Sequence, residues 1–273
     1  CNNMETGRGL VAAIVESDKS AIPCAASRSF SGNRELENAA RRALSSFILH
    51  ARMSEGALPY RHIAVEGPIG VGKTSLVTML AKRFKGTKIL EDAENPFLDD
   101  FYKDRRGAAF RTQLFFLLSR YDQQRGIAQR DLFTELVLAD YTFPKDKIFA
   151  YLTLDDSELL IYNRLYDLLV ETVPKPELVI YLQASPEVLK KRLKKKNAAE
   201  EKALNDDYLE EVIKAYEHFF FHYTSSDLLI VNTSEIDFVE RNQDLQELLR
   251  KVSAPIKGTQ YFLPLGSQEA ASA

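Results

Sequence analysis

Residues 67 to 74 read Gly-Pro-Ile-Gly-Val-Gly-Lys-Thr, and no other stretch constrains the fold of this chain as tightly. A G-x-x-x-x-G-K-[ST] loop works only between a strand and a helix. Its glycines let successive backbone N–H groups turn inward on a polyphosphate, and the positive end of the following helix points at the same anion. Both flanks are present: Tyr60 to Glu66 reads as a buried strand and Thr74 to Lys85 as a helix. The pattern assigns Gly67, Pro68, Ile69, Gly70, Val71, Gly72, Lys73, Thr74 and Ser75 to a nucleoside triphosphate. Lys73 reaches the β- and γ-phosphates, and the Thr74 hydroxyl is placed to ligate Mg²⁺. Lys73 is expected to face solvent until the nucleotide arrives.

The rest of the composition narrows the class of protein. At 273 residues, 45% hydrophobic and 27% charged, the chain has material for one core of about 200 residues and an appendage. A formal net charge of −3 argues against a chain that coats nucleic acid, where a basic surplus is expected. The two cysteines, Cys1 and Cys24, lie outside the part that reads as folded. A disulfide framework or cysteine-based zinc site is therefore not open to that part, which suits a reducing cytoplasm. No stretch approaches roughly 18 uninterrupted apolar residues, so no membrane span is expected.

Residues 1–57 read as an N-terminal extension. Ala, Ser, Asn, Gly and Arg dominate up to Asn33 with no sustained period, whereas Arg34 to Met53 would place Leu36, Ala40, Leu44, Phe47 and Ile48 on one side of a helix. A disordered or non-native leader is the favoured reading, because low-complexity segments bury too little apolar surface to order themselves. Cys1 stands where a methionine would open a chain, and Met53-Ser-Glu-Gly stands just ahead of the first strand. A docked helix is the second reading. An organelle transit peptide is the third, with Glu5, Glu16, Asp18, Glu35 and Glu37 counting against it. Residues 58–264 read as the folded domain and 265–273 as a disordered tail.

From Tyr60 onward strands and helices alternate. Strands are expected at Arg61–Glu66, Lys88–Glu91, Glu135–Asp140, Leu178–Gln183 and Asp227–Asn232. Helices are expected at Thr74–Lys85, Pro96–Lys103, Ala108–Arg130, Asp156–Val173, Pro186–Lys196, Asp206–Tyr223 and Val239–Val252, with Asp156 or Ser157 capping one and Ser185-Pro186 opening another. This order predicts an α/β fold, a three-layer sandwich whose five-stranded parallel sheet is flanked by helices. Ligands of such sheets lie beyond the carboxyl ends of the strands, which draws attention to Glu91, Asp140 and the loop at Asn232. A carboxylate at Glu91 could orient an acceptor alcohol and take its proton. Equally, Glu91, Asp92 and Glu94 could make a solvated acidic turn. The basic run from Lys190 to Lys202 is either a solvated helix face or a lid that closes over phosphates. Phe219, Phe220 and Phe221, with His218 and His222, read as core packing.

Taken together, these residues resemble the deoxyribonucleoside kinase family over roughly Tyr60 to Pro264. The resemblance implies a P-loop kinase with a helical lid, in the cytoplasm, using ATP and Mg²⁺. It implies a homodimer that phosphorylates the 5′-hydroxyl of a 2′-deoxyribonucleoside for nucleotide salvage. On that likeness Glu91 falls where the family keeps its catalytic base, and Glu94-Asn-Pro-Phe-Leu98 is similar to bacterial members. Gln113 and Arg120 sit where the family reads the nucleobase and supports the 5′-hydroxyl. Tyr102 and Glu201 match the groups on the 3′-hydroxyl, and Lys196 falls in the lid beside the nucleotide. Gln113 offers an acceptor and a donor side by side, as a bidentate base contact needs. It lies seven positions before Arg120, so the two share a helix face. Phe97 and Phe110 are candidates to sandwich the base. Ala93, Ala108 and Thr112, small walls by the same likeness, point to a purine.

The sequence departs from the family in two places. After the third strand the family usually carries an acid followed by arginine, but Ala139-Asp140-Tyr141 continues to Ala150 without one. Asp140 is placed to serve as the Mg²⁺-binding acid, and either Lys145 or Lys147 could restore the lost charge, although lysine lacks the bidentate fork. In the lid, Lys196, Asn197 and Ala198 stand where arginines are expected. Two rivals follow: a thymidylate-type monophosphate kinase, which a carboxylate at position 91 disfavours, and a P-loop nucleotide-binding module with weakened turnover.

Overall fold

The computed structural model describes residues 58–264, apart from 93, 104, 131–135 and 197–205. Expectations resting on 1–57, Ala93, Glu135, Asn197, Ala198, Glu201 and 265–273 lie outside the described residues.

Strands β1 (His62–Glu66), β2 (Thr87–Ile89), β3 (Val137–Ala139), β4 (Leu178–Gln183), β5 (Asp227–Asn232) and β6 (Thr259–Phe262) form one sheet in the order β2-β3-β1-β4-β5-β6. All neighbours pair in parallel. Helices α1 (Lys73–Phe84), α2 (Leu98–Tyr102), α3 (Ala108–Arg130), α4 (Lys145–Thr153), α5 (Asp156–Val170), α6 (Pro186–Lys196), α7 (Asp206–Phe221) and α8 (Asn242–Ser253) connect them.

Two layers of core follow from the strand pleat. Ile63 and Val65 of β1, Ile180 of β4 and Leu229 of β5 face one side, where Leu76 and Leu80 of α1 and Leu248 and Val252 of α8 cover them. Ala64, Val179, Tyr181, Leu228 and Ile230 face the other, under Ile148 of α4 and Val212, Tyr216 and Phe220 of α7. With both faces covered, the strands have no polar side to alternate, which is why they read as continuous apolar runs. Each fully buried Leu or Ile contributes roughly 1.5–3 kcal/mol.

The sheet has six strands where five were expected. β6 is an edge strand of four residues whose side chains alternate between exposed and half-buried, so it lacks the apolar run that marks the central strands. Tyr60 holds the segment before β6: its hydroxyl accepts from Ile256 N at 2.6 Å, and Gly258 N bonds Asp227 Oδ1 at 2.8 Å. Helix α4 was also unforeseen, because Lys145-Asp-Lys opens it with charges that turn inward rather than outward. The cap of α5 is Asp155 rather than Asp156 or Ser157. Its carboxylate accepts from the Ser157 and Glu158 amides, and Glu158 returns to its backbone in a capping box. The aromatic run divides, for Phe220 is buried while Phe221 is 80% exposed.

Two glycines make the phosphate loop possible. Gly67 has φ 146°, and a Cβ there would stand 2.4 Å from the Leu182 carbonyl oxygen. Gly72 caps α1 at φ 107°, where a Cβ would meet the Phe238 ring at 2.8 Å. The loop is thus pressed against β4 and the segment after β5 by backbone contact that only glycine permits.

Candidate active site

Lys73, the first residue of α1, does not face solvent as expected. It is partly buried, with Nζ donating to the carbonyls of Gly67 and Pro68 at 2.8 and 3.1 Å. Burial, with repulsion from Lys145, pushes its pKa down to about 8 despite the attraction of Glu66, Glu91 and Asp140. The lysine is therefore stored inside its own loop, short of a counter-charge that a triphosphate would bring.

One residue beyond β3, Asp140 joins the start of α1 to Glu91. Its Oδ2 accepts from Thr74 Oγ1 at 2.7 Å, and its Oδ1 accepts from the Glu91 amide at 2.6 Å. These short bonds explain how Glu91, two residues past the end of β2, is brought beside residues from two other strands. The Thr74 hydroxyl and an Asp140 carboxylate oxygen thus meet at the start of α1, and this pair of hard oxygen donors fits Mg²⁺.

The Glu91 carboxylate is gripped from both sides. Arg120 donates to Oε1 through Nε at 3.0 Å and Nη2 at 2.5 Å, and Lys145 Nζ donates to Oε2. Burial alone would raise its pKa, but the charges and hydrogen bonds of Lys145 and Arg120 outweigh burial and hold the group well below the usual carboxylate range. Arg120 is fixed in turn by an ion pair with Asp146 and by the Phe116 ring, 4.9 Å below its guanidinium. Asp146, fully buried on α4, also accepts from the Tyr162 hydroxyl at 2.7 Å. Of the two lysines, Lys145 is the one paired with Glu91, whereas Lys147 faces Asp167 at 3.8 Å and lies over Tyr166. Tyr141, standing in the arginine's place, is buried and donates to Gln123 Oε1.

Glu66, the last residue of β1, is a fully buried acid that the sequence reading passed over. Its Oε1 accepts from the Thr142 amide and hydroxyl at 2.6 and 3.0 Å, and Oε2 accepts from the Gly67 amide at 3.3 Å. Burial raises its pKa against the pull of Lys145 and Lys73. The side chain clamps the first turn of the phosphate loop to the segment after β3.

On α3, two turns before Arg120, Gln113 is 5% exposed; its Nε2 donates to Thr153 Oγ1 at 3.2 Å while its carbonyl Oε1 has no partner among the described residues. An unpaired buried acceptor costs about 1–3 kcal/mol, which a ligand N–H would recover. Phe97 is held beside this helix: Asn95 accepts from the Phe97 amide at 2.9 Å and donates to Thr112 O at 3.0 Å. Phe110 differs, packing against the cluster of Leu117, Phe143, Tyr162 and Tyr166. Tyr102 ends α2. It is 64% exposed, edge-on to Phe101 and close enough to Tyr208 of α7 to raise that phenol's pKa after burial itself. Ala108 and Thr112 are both buried, at 1% and 2% exposure.

The basic helix α6 hides a residue that its charge pattern obscured. Arg192 points inward, donating to Thr233 Oγ1 and O at 2.9 and 2.7 Å, to Ile236 O at 2.9 Å and to Val71 O at 3.4 Å. It binds the loop after β5 to the phosphate loop. The one available signal was an arginine among lysines, since a planar fork can serve several carbonyls at once and an ammonium cannot. Lys196 is the last residue of α6.

The geometry can be set beside known proteins. The family model for deoxynucleoside kinase matches residues 63–257. The deoxyguanosine kinase of Bacillus subtilis is 37% identical over 196 residues, covering 70% of this chain and 95% of its own. The deoxyadenosine kinase of Dictyostelium discoideum is 32% identical over 188 residues, covering 67% and 75%. Among solved structures, deoxyadenosine kinase from M. mycoides with bound dATP superposes with a TM-score of 0.61 at 24% identity, covering 70% of this chain and 99% of that one, a likeness of fold. Among the described residues no helix is long and apolar enough to cross a membrane.

Proposed function

Because this chain belongs to the deoxynucleoside kinase family, we propose that it transfers the γ-phosphoryl group of ATP to the 5′-hydroxyl of a 2′-deoxyribonucleoside, with a purine preference, in cytoplasmic nucleotide salvage. The observation that carries this reading is the Glu91 carboxylate held between Arg120 and Lys145 and joined through Asp140 to Thr74. A carboxylate in that position suits a neutral alcohol and repels a substrate that already carries a phosphate, which disfavours the monophosphate kinase alternative.

In the proposed reaction the loop amides and Lys73 bind the triphosphate, and Lys73 stabilises charge on the phosphoryl group as it moves. Thr74 and Asp140 would hold Mg²⁺, which supplies charge neutralisation at the phosphates. Glu91 accepts a hydrogen bond from the 5′-hydroxyl and receives its proton as the new P–O bond forms and the bond to ADP breaks. Its depressed pKa makes it a weak base, so it serves chiefly to aim the alcohol, as a loose transition state requires. Gln113 pairs with the base through its open carbonyl, and Phe97 covers a ring face. Tyr102 and Glu201 are proposed for the 3′-hydroxyl and Lys196 for the nucleotide phosphates, on the family likeness.

An ADP-release assay against the four deoxynucleosides and dTMP tests this. Deoxyadenosine or deoxyguanosine should exceed deoxycytidine and thymidine in kcat/KM by about tenfold, or roughly 1.4 kcal/mol. A chain fastest on thymidine would refute the purine preference, and one fastest on dTMP would refute the acceptor.

The homodimer is proposed from an uncovered stripe on α5. Ile161, Leu165 and Leu168 recur at helical spacing and are 51%, 37% and 75% exposed, with Leu118 of α3 at 51%. A second copy is the occupant proposed for a self-complementary apolar face of this kind. Ile161→Glu with Leu168→Glu should halve the mass in sedimentation equilibrium. An unchanged mass would place the interface elsewhere.

A further inference from the structure

Away from the phosphate loop the protein contains a cavity of about 400 Å³. Its buried wall includes Tyr141, Phe143, Tyr166 and Val173, at 8% exposure or less. Its exposed rim carries Lys175, His218 and His222. The rim belongs to the amino ends of the strands: His62 opens β1, Pro176 stands just before β4 and Ser225 just before β5. The phosphate loop lies at the opposite, carboxyl ends, which the inner wall approaches through the segment after β3, where Thr142 bonds Glu66. The volume is within the range of small-molecule sites.

The lining chemistry is one-sided. Lys147 and Lys175 reach the cavity, with His62, His218 and His222 beside them, and none of the described lining residues is Asp or Glu. Lys147 pairs with Asp167 at 3.8 Å, a carboxylate 72% exposed, so water weakens that pair. His218 and His222 stand together, with ring centroids 4.6 Å apart and the His222 Nδ1 bonded to the His218 carbonyl. An apolar, aromatic interior beneath a rim of lysine and imidazole donors fits a ligand with an aromatic body and one acidic group.

We propose that this cavity is a second ligand site, distinct from the nucleotide and nucleoside sites, for an aromatic anion of one or two rings. The ring lies against Phe143, Tyr166 and Val173, and the acidic group meets Lys147, Lys175 and the rim imidazoles. Occupancy does not require the kinase reaction.

The probe is 1-anilinonaphthalene-8-sulfonate, with N-phenyl-1-naphthylamine as its uncharged counterpart, titrated by fluorescence on the full chain. Saturating non-hydrolysable ATP analogue and deoxyadenosine fill the other sites. The sulfonate should bind at one equivalent under these conditions. Lys147→Glu with Lys175→Glu should weaken it by about tenfold while leaving the uncharged probe within about twofold. Val173→Trp should exclude both probes. Because Lys175 is exposed, the charge-reversed variant tests the site even if the tryptophan variant does not fold. Displacement by 2-naphthyl phosphate at lower concentration than by 2-naphthoate would assign a phosphate ester, and the reverse order a carboxylic acid. Displacement of the sulfonate by the ATP analogue and deoxyadenosine, or equal affinity in wild type and charge-reversed variant, would overturn the proposal.

Discussion

Lys73→Ala should lower phosphoryl transfer by about 10²–10³-fold or more, the loss seen when one preorganised charge-stabilising group is removed from a transition state. The fold should survive, because among the described residues the side chain makes two hydrogen bonds, both to carbonyls of a loop that Glu66 and Arg192 also hold. A melting temperature close to that of the wild type, with the rate lost, is the expected pair of results. The same lysine sets a pH dependence. With its pKa lowered to about 8, the free enzyme loses this charge as pH rises through 8. The value of kcat/KM for ATP should therefore decline above pH 8. Once a triphosphate is bound, its negative charge restores the proton, and kcat should hold to higher pH, since the first parameter reports the free enzyme and the second the complex. A mutant with near wild-type kcat would remove Lys73 from the mechanism, and a flat kcat/KM profile would show that burial does not depress the lysine.

Glu91→Gln should reduce kcat by about 10²–10⁴-fold, with little change in nucleotide binding, because glutamine neither takes the 5′-hydroxyl proton nor offers a charged acceptor to aim it. It should also lower the melting temperature. Glutamine keeps the shape but presents no charge to Arg120 and Lys145, whose side chains are only 7% and 5% exposed. Asp146 still pairs with Arg120, so Lys145 is the cation left without its partner. Stranding a buried charge costs about 3–5 kcal/mol when no relaxation intervenes. Two effects are thus superimposed, and a second substitution separates them. Glu91→Gln combined with Lys145→Met should recover much of the thermal stability, because the orphaned ammonium is gone, and should not recover turnover. Recovery of both would mean that position 91 acts only through the ion pair. Wild-type turnover in the single variant would move the base to Asp92 or Glu94.

The nucleotide half of the site was legible in the residues because it is local. Strand, glycine turn, lysine, threonine and helix are consecutive, so 67–75 specify their own conformation, and the nucleotide proposed for them follows from it. The long helix Ala108–Arg130 and strands β4 and β5 were legible for a related reason. Their burial is uniform along the segment, and the apolar runs record it. Gln113 and Arg120 could be placed on one helix face by spacing alone.

Contacts between distant segments were a different matter. Whether Lys145 or Lys147 answers for the missing arginine depends on how α4 rotates against α3, and only packing decides that. Lys145 turns to Glu91, 54 positions away, while Lys147 turns to Tyr166 and Asp167. Glu66 and Arg192 were invisible for the same reason. Each serves backbone groups from segments 41 to 121 positions away, and nothing in a local charge pattern distinguishes an inward arginine from a solvated one. Strand β6 was missed because an edge strand needs no apolar run, only a neighbour to pair with. What the amino-acid sequence determined by itself was the strand–glycine turn–helix at 62–84 and the layered α/β class, since both arise from short-range geometry and hydrophobic period. The tertiary structure alone decided which charges meet around Glu91, because electrostatic partnership depends on distances of a few ångströms between side chains that the chain order keeps far apart.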